Sequence, residues 1–220
     1  MHPIDRNTMY YLMYLVFLNQ LKEGDLRTQP PSCPQGHDKI HLPSLNIKLS
    51  TKSRSRMSAK HRQPIDNTDT ACFACGSDNP YGLHMQFSTD GTKLYSHVIP
   101  PAHMAGWEHL LHGGIISTIL DEIMAWTAIH LLQRVILTKS LHVEFLRPIQ
   151  VNTGLEVQGW VEKQQERKAW IKGVIYDQQE MEMARSTGEM VLFAPDDKVL
   201  QRILPQEMLT KVQQRFQSGS

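Results

Sequence analysis

The stretch "LLHGGIISTILDEIMAW", residues 110–126, concentrates residues whose types and spacing could do chemistry. His112 stands before Gly113 and Gly114, and Asp121 and Glu122 follow inside an apolar run. Glycines at a helix start expose backbone N–H groups with no side chain in the way. Those N–H groups lack intrahelical partners and sit at the positive end of the helix dipole, so they suit an oxygen that gains negative charge. A carboxylate placed in an apolar helix is costly unless something uses it, and it can attack a carbon or take a proton from water. Glu122 points about 100° away from Asp121 around a helix and is expected at solvent or an interface, as the reserve carboxylate.

The elements that must position these groups follow from periodicity. Ile115, Ile116, Ile119, Leu120, Ile123 and Met124 recur at helical spacing and predict a helix from Gly113 to Leu132 that needs burial on most sides. Before it, "CFACGSDNPYGLHMQF" reads as a turn-rich lead-in ending in a short strand, and "KLYSHVI" as a strand stopped by Pro100 and Pro101. After it come four β-like segments. "VILTKSLHVEFLR" puts Leu141, Val143 and Phe145 on one face, and "LEVQGWVE" does the same for Leu155, Val157 and Val161. "KAWIKGVIYD" and "MEMARSTGEMVLF" complete the set. Connections this short predict consecutive antiparallel neighbours. The expected fold class is α+β, a curved antiparallel sheet wrapped around one long central helix. The C-terminal stretch predicts a short helix around Leu200 and Ile203 that then frays.

Bulk properties bound the rest. The 220-residue chain suits one domain with extensions, expected as an N-terminal extension over 1–70, a domain over 71–195 and a C-terminal tail over 196–220. A net charge of +1 gives no electrostatic argument for nucleic acid. Three cysteines make no disulfide framework and suit a reducing, cytoplasmic setting. The apolar run Met9–Leu18 is too short to span a bilayer, which takes roughly 20 helical residues, so no membrane span is expected. Residues 19–70 read as a polar, Pro- and Ser-rich linker with a basic run, and Met57 within it is an alternative start for the working protein. Cys72 and Cys75 have zinc-knuckle spacing, but zinc takes four ligands and the similarly grouped partners, Cys33 and His37, lie far back in the linker. A turn over the substrate is the expected role of that pair, with no metal and no cofactor.

Taken together, "HGG" with an Asp seven residues after its second glycine, "CFACGSDNPYGL" and "SLHVEFLRP" resemble the hotdog-fold thioesterases of the phenylacetate-pathway type, within the 4-hydroxybenzoyl-CoA thioesterase superfamily. The resemblance runs from about Cys72 to Phe193. It implies hydrolysis of acyl-CoA thioesters by a dimer or a dimer of dimers. Gly113 would give its N–H to the thioester carbonyl, Asp121 would act as nucleophile or general base, and His112 would shape the site. Thr138, ten residues before Pro148, would contact the carboxylate or its water. Gly114, Trp107 and Arg147 are the candidates for substrate contact, with Arg134 and Lys139 as further basic groups for coenzyme A phosphates. One departure stands out: the family often carries Asn six residues before the His, and this chain has Gly106 there.

The helix geometry adds a constraint of its own. Gly113 and Asp121 lie eight residues apart on one helix, about 12 Å at ~1.5 Å per residue, so they cannot address one carbonyl carbon. The carboxylate must meet the N–H of a second subunit, which makes a homodimer the expected working form. The alternative function is a non-catalytic acyl-CoA-binding or regulatory protein of the same fold, and the Gly at position 106 is the main argument for it. A hotdog dehydratase fits less well, because no Asp-x-x-x-x-His arrangement leads the helix.

Overall fold

A computed structural model describes residues 62–67 and 70–217. The apolar run Met9–Leu18, the linker with Cys33 and His37, the basic run and Met57 lie outside the described residues. In chain order the elements are β1 (Gln63–Ile65), β2 (Phe87–Thr89), β3 (Leu94–Val98), a 3-10 turn (Ala102–Met104), β4 (Ala105–Trp107) and β5 (Leu110–Leu111). Then follow α1 (Gly113–Leu132), β6 (Val135–Phe145), β7 (Leu155–Gln165), β8 (Lys168–Tyr176), β9 (Glu182–Phe193), α2 (Leu200–Ile203) and α3 (Gln206–Gln217).

The helix α1 spans the residues that its periodicity predicts. His112 caps its N-terminus in an extended conformation, and Gln133 ends it with φ 52° and ψ 50°, the left-handed geometry that stops a helix. Ile119, Leu120, Ile123, Met124 and Ala128 are wholly buried. Each large apolar side chain buried this way contributes about 1.5–3 kcal/mol. Among the described residues α1 is the one helix long and apolar enough to cross a membrane, and here it is the core element that the sheet covers.

All pairings in the seven-stranded sheet are antiparallel, in the order β1-β2-β3-β7-β8-β9-β6. Leu155 and Val157 on β7 and Ile171 and Ile175 on β8 point into the core. Gly159 lets β7 approach the helix closely: a Cβ there would stand 2.3 Å from Thr127 Oγ1 and 3.1 Å from Ile123 O. Gly159→Ala is therefore expected to destabilise the fold by about 1–3 kcal/mol through overpacking, read as a lower urea midpoint at unchanged slope.

Three expectations are corrected. The strand β6 does not neighbour β7; it pairs with β9 along its whole length and ends the sheet. The connection does not double back because it is pinned to the lead-in loop. Leu111 N–H donates to Ile149 O at 2.8 Å, and Val151 N–H donates to His109 O at 2.9 Å. The strand also contains a bulge between Thr138 and Ser140, a place where two residues oppose one and side chains are re-aimed. Next, the C-terminal stretch does not fray after Ile203. Leu209 of α3 packs with Val135, Phe193 and Leu200 in a second small cluster, and Arg215 lies over the Trp126 ring at 4.7 Å. At the other end, β1 pairs with β2 from within the stretch read as linker.

Candidate active site

The helix start is built by one side chain. His112 Nδ1 accepts a hydrogen bond from Gly114 N–H at 2.9 Å, which puts the proton of the neutral ring on Nε2. Ile115 and Ile116 N–H groups both reach the His112 carbonyl, at 2.9 and 3.1 Å. Three of the first four amides are thereby satisfied, and Gly113 N–H has no acceptor among the described residues. The amide of Gly114, a candidate for substrate contact, is engaged by the cap.

The carboxylate comes from the same helix two turns on. Thr138 Oγ1 donates to Asp121 Oδ1 at 2.9 Å, joining α1 to β6 at the bulge. Thr138 is exposed and Asp121 half-buried, so the pair opens toward the outside of this chain. Burial pushes the Asp121 carboxyl above its ordinary range, against the opposing pull of the Thr138 hydrogen bond. Ser117, one turn earlier, does not touch the carboxylate; its hydroxyl donates to Gly113 O at 3.0 Å.

Around this pair the sheet edge is apolar. Leu141 and Phe145 on β6, on the same face as Thr138, are 36% and 54% exposed. The Phe145 ring lies against the helix start, 3.7 Å from where a Cβ on Gly113 would stand. An unpaired strand edge carrying apolar side chains is a surface that proteins normally cover.

The remaining candidates divide. Trp107 is 82% exposed, held out by the tight turn at Glu108, whose φ of 45° is left-handed. Arg147 does not reach outward: its guanidinium bonds the Glu182 carbonyl, and its amide donates to Met183 O. Lys139 shares Glu189 with Lys168, each at 3.0 Å, and Arg134 bonds the adjacent Gln133 carbonyl. Arg147, Lys139 and Arg134 thus all have local partners. Gly106 lies against the histidine, and a Cβ there would stand 3.0 Å from His112 Cδ2. An asparagine at that position would require His112 to shift.

Glu122 is the clearest correction. It is half-buried and turns toward the lead-in segment, accepting from Trp126 Nε1 at 3.0 Å and from Cys72 Sγ at 3.6 Å. Burial pushes it up to about 7. The helix is enclosed on nearly every side, so a 100° offset from Asp121 leads to the lead-in turn. This contact, between residues fifty positions apart, has no periodic signal in the sequence.

The comparisons with known proteins agree with this architecture. The thioesterase superfamily model matches residues 108–184, which hold the helix start, Asp121 and Thr138. A solved thioesterase superfamily protein superposes with a TM-score of 0.53 at 16% identity, over 87% of this chain and 81% of its own. The PaaI protein of the Escherichia coli phenylacetic acid degradation operon aligns at 19% identity and TM-score 0.47, over 51% of this chain and 81% of its own. A hypothetical thioesterase of Streptococcus pneumoniae TIGR4, solved with coenzyme A, aligns at 16% identity and TM-score 0.45, over 47% and 82%. No curated protein sequence matches the chain significantly. Residues 108–184 are thus similar to the thioesterase superfamily, and the sheet and helix of the described chain form the hotdog fold.

Proposed function

We propose that this protein hydrolyses acyl-CoA thioesters at a site shared by two copies of the chain, carried by the domain over 71–195. The observation that supports it best is a Gly113 amide without an acceptor among the described residues at a helix start, together with an outward-opening Asp121–Thr138 pair whose carboxylate lies on the same helix. Negative charge builds on the carbonyl oxygen as the thioester is attacked, and a fixed N–H at the positive end of a helix stabilises it. Asp121 either takes a proton from water as the resulting hydroxide adds to the carbonyl, or attacks to give a mixed anhydride that water then opens. On both routes the C–S bond breaks, the thiol of coenzyme A leaves with a proton, and the acid is released. Because the two groups lie about 12 Å apart on one helix, the amide must come from the second copy. The apolar edge of β6, next to both groups, supports such a partner.

A screen of thiol release across aliphatic and aromatic acyl-CoAs tests the reading, and no turnover with any of them would reject it. The second reading, an acyl-CoA-binding protein without turnover, draws on Gly106, where the glycine and His112 occupy the space of the family's asparagine. It predicts tight acyl-CoA binding with no thiol release in the same screen.

Thr138 orients the carboxylate and does not carry the reaction. Thr138→Ala should lower kcat about tenfold with KM nearly unchanged. Ser140→Ala, across the bulge, should match the wild type; the reverse ranking would mean that the functional register of β6 is off by two residues.

A further inference from the structure

The half-buried Cys72, the buried Cys75 and Glu122 bring two thiols and a carboxylate together, with their donor atoms all within 4.8 Å of one another. We propose that these three residues form a zinc site that staples the lead-in turn to the central helix, with solvent as the fourth ligand. It is independent of the thioesterase reading.

The separation of the Cys72 and Glu122 donors matches a tetrahedral thiolate–carboxylate site. Zn–S bonds of about 2.3 Å and Zn–O bonds of about 2.0–2.2 Å set neighbouring S and O ligand atoms roughly 3.6 Å apart in a tetrahedron. Cys72 Sγ and Glu122 Oε1 stand 3.6 Å apart. Two thiolates select a thiophilic ion over magnesium or calcium, and zinc imposes no ligand-field geometry on a set of three protein donors.

The surroundings hold the donors in place. The turn Cys72–Gly76 is closed by Gly76 N–H donating to Cys72 O at 2.9 Å. Gly76 has no substitute there, since a Cβ would stand 2.5 Å from both Cys72 N and Thr70 O. Asn67 Nδ2 donates to Cys75 O at 2.6 Å and ties the turn to the strand before it. On the helix side, Trp126 Nε1 donates to Glu122 Oε1 and fixes the carboxylate, and the Trp126 ring is itself stacked on Phe87 with centroids 5.1 Å apart. Such hydrogen bonds from outside the ligand set are what orient a ligating carboxylate. A metal here would join a turn and a helix that are far apart in sequence, and Glu122 is the neighbour of Asp121 on that helix.

The test uses the full chain, stripped with a chelator and dialysed against micromolar zinc or cobalt. About one equivalent of Zn2+ should be retained per chain, and Co2+ should give the intense thiolate charge-transfer absorption of a tetrahedral site. Zinc should raise the thermal midpoint and protect Cys72 and Cys75, but not Cys33, from alkylation followed by peptide mass. Glu122→Gln should weaken zinc binding at least about tenfold, and Cys75→Ser should abolish the cobalt absorption. The Cys33→Ser, His37→Ala double variant should bind as the wild type does. Retention well below one equivalent, zinc-independent alkylation of Cys72 and Cys75, unchanged affinity in Glu122→Gln, or loss of binding in the double variant would each overturn the proposal. The alkylation measurement needs no substitution, so it decides the matter even where Cys75→Ser fails to fold.

Discussion

Asp121→Asn is expected to lower turnover of any acyl-CoA substrate by at least about a hundredfold while leaving the fold and substrate binding nearly intact. The substitution keeps the size of the side chain and an oxygen able to accept from Thr138 Oγ1. It removes the charge, and with it the capacity to take a proton from water or to attack as a carboxylate. Folding should survive because burial already disfavours the charged form in the native protein, so a neutral amide is no harder to bury. The measurement is kcat and KM beside a denaturation midpoint. Turnover like that of the wild type would remove Asp121 from the mechanism. Glu122→Gln is then an uninformative replacement for it, because that carboxylate faces Cys72 and Trp126 on another side of the helix.

Much of this site is legible in the amino-acid sequence, for a physical reason. The helix from Gly113 to Leu132 is encoded locally, by a glycine pair that bares the first amides and by apolar spacing that repeats along its length. The strands β7 to β9 are encoded by alternation and short polar turns, which leave antiparallel pairing as the one solution. The Thr138–Asp121 contact follows from a resemblance in spacing and not from periodicity. What stays hidden depends on contacts between distant segments. The place of β6 beside β9 is decided by the anchoring of residues 149–151 to the lead-in loop, which no turn rule registers. The inward face of Glu122 depends on a turn fifty residues upstream folding over the helix. The engagement of Gly114 by His112 is local, and the position of a histidine two residues before a helical amide could have signalled it, since that is where an N-cap side chain reaches.

The proposed sharing of the site between two copies makes a stronger prediction, which concerns mixtures. Gly113→Pro deletes the amide proposed to polarise the carbonyl, and Asp121→Asn deletes the carboxylate, so each homodimer should be nearly inactive. Proline is acceptable at Gly113 on three counts. The position is the first of α1, where the missing N–H breaks no helical bond. His112, the residue before it, already has φ −63° and ψ 135°, the extended conformation that a following proline requires. A Cβ at Gly113 would meet only the Phe145 ring, at an ordinary contact distance of 3.7 Å. When the two variants are co-refolded, a mixed dimer has one site with both defects and one with neither. Random exchange makes half of all dimers mixed, and half of their sites intact, so activity should recover to about a quarter of the wild type. Neither variant alone should recover on the same refolding, and recovery should follow the fraction of heterodimer, measured with two affinity tags. Verified heterodimers as inactive as their parents would mean that the carbonyl-polarising amide and the carboxylate do not meet across two copies of the chain.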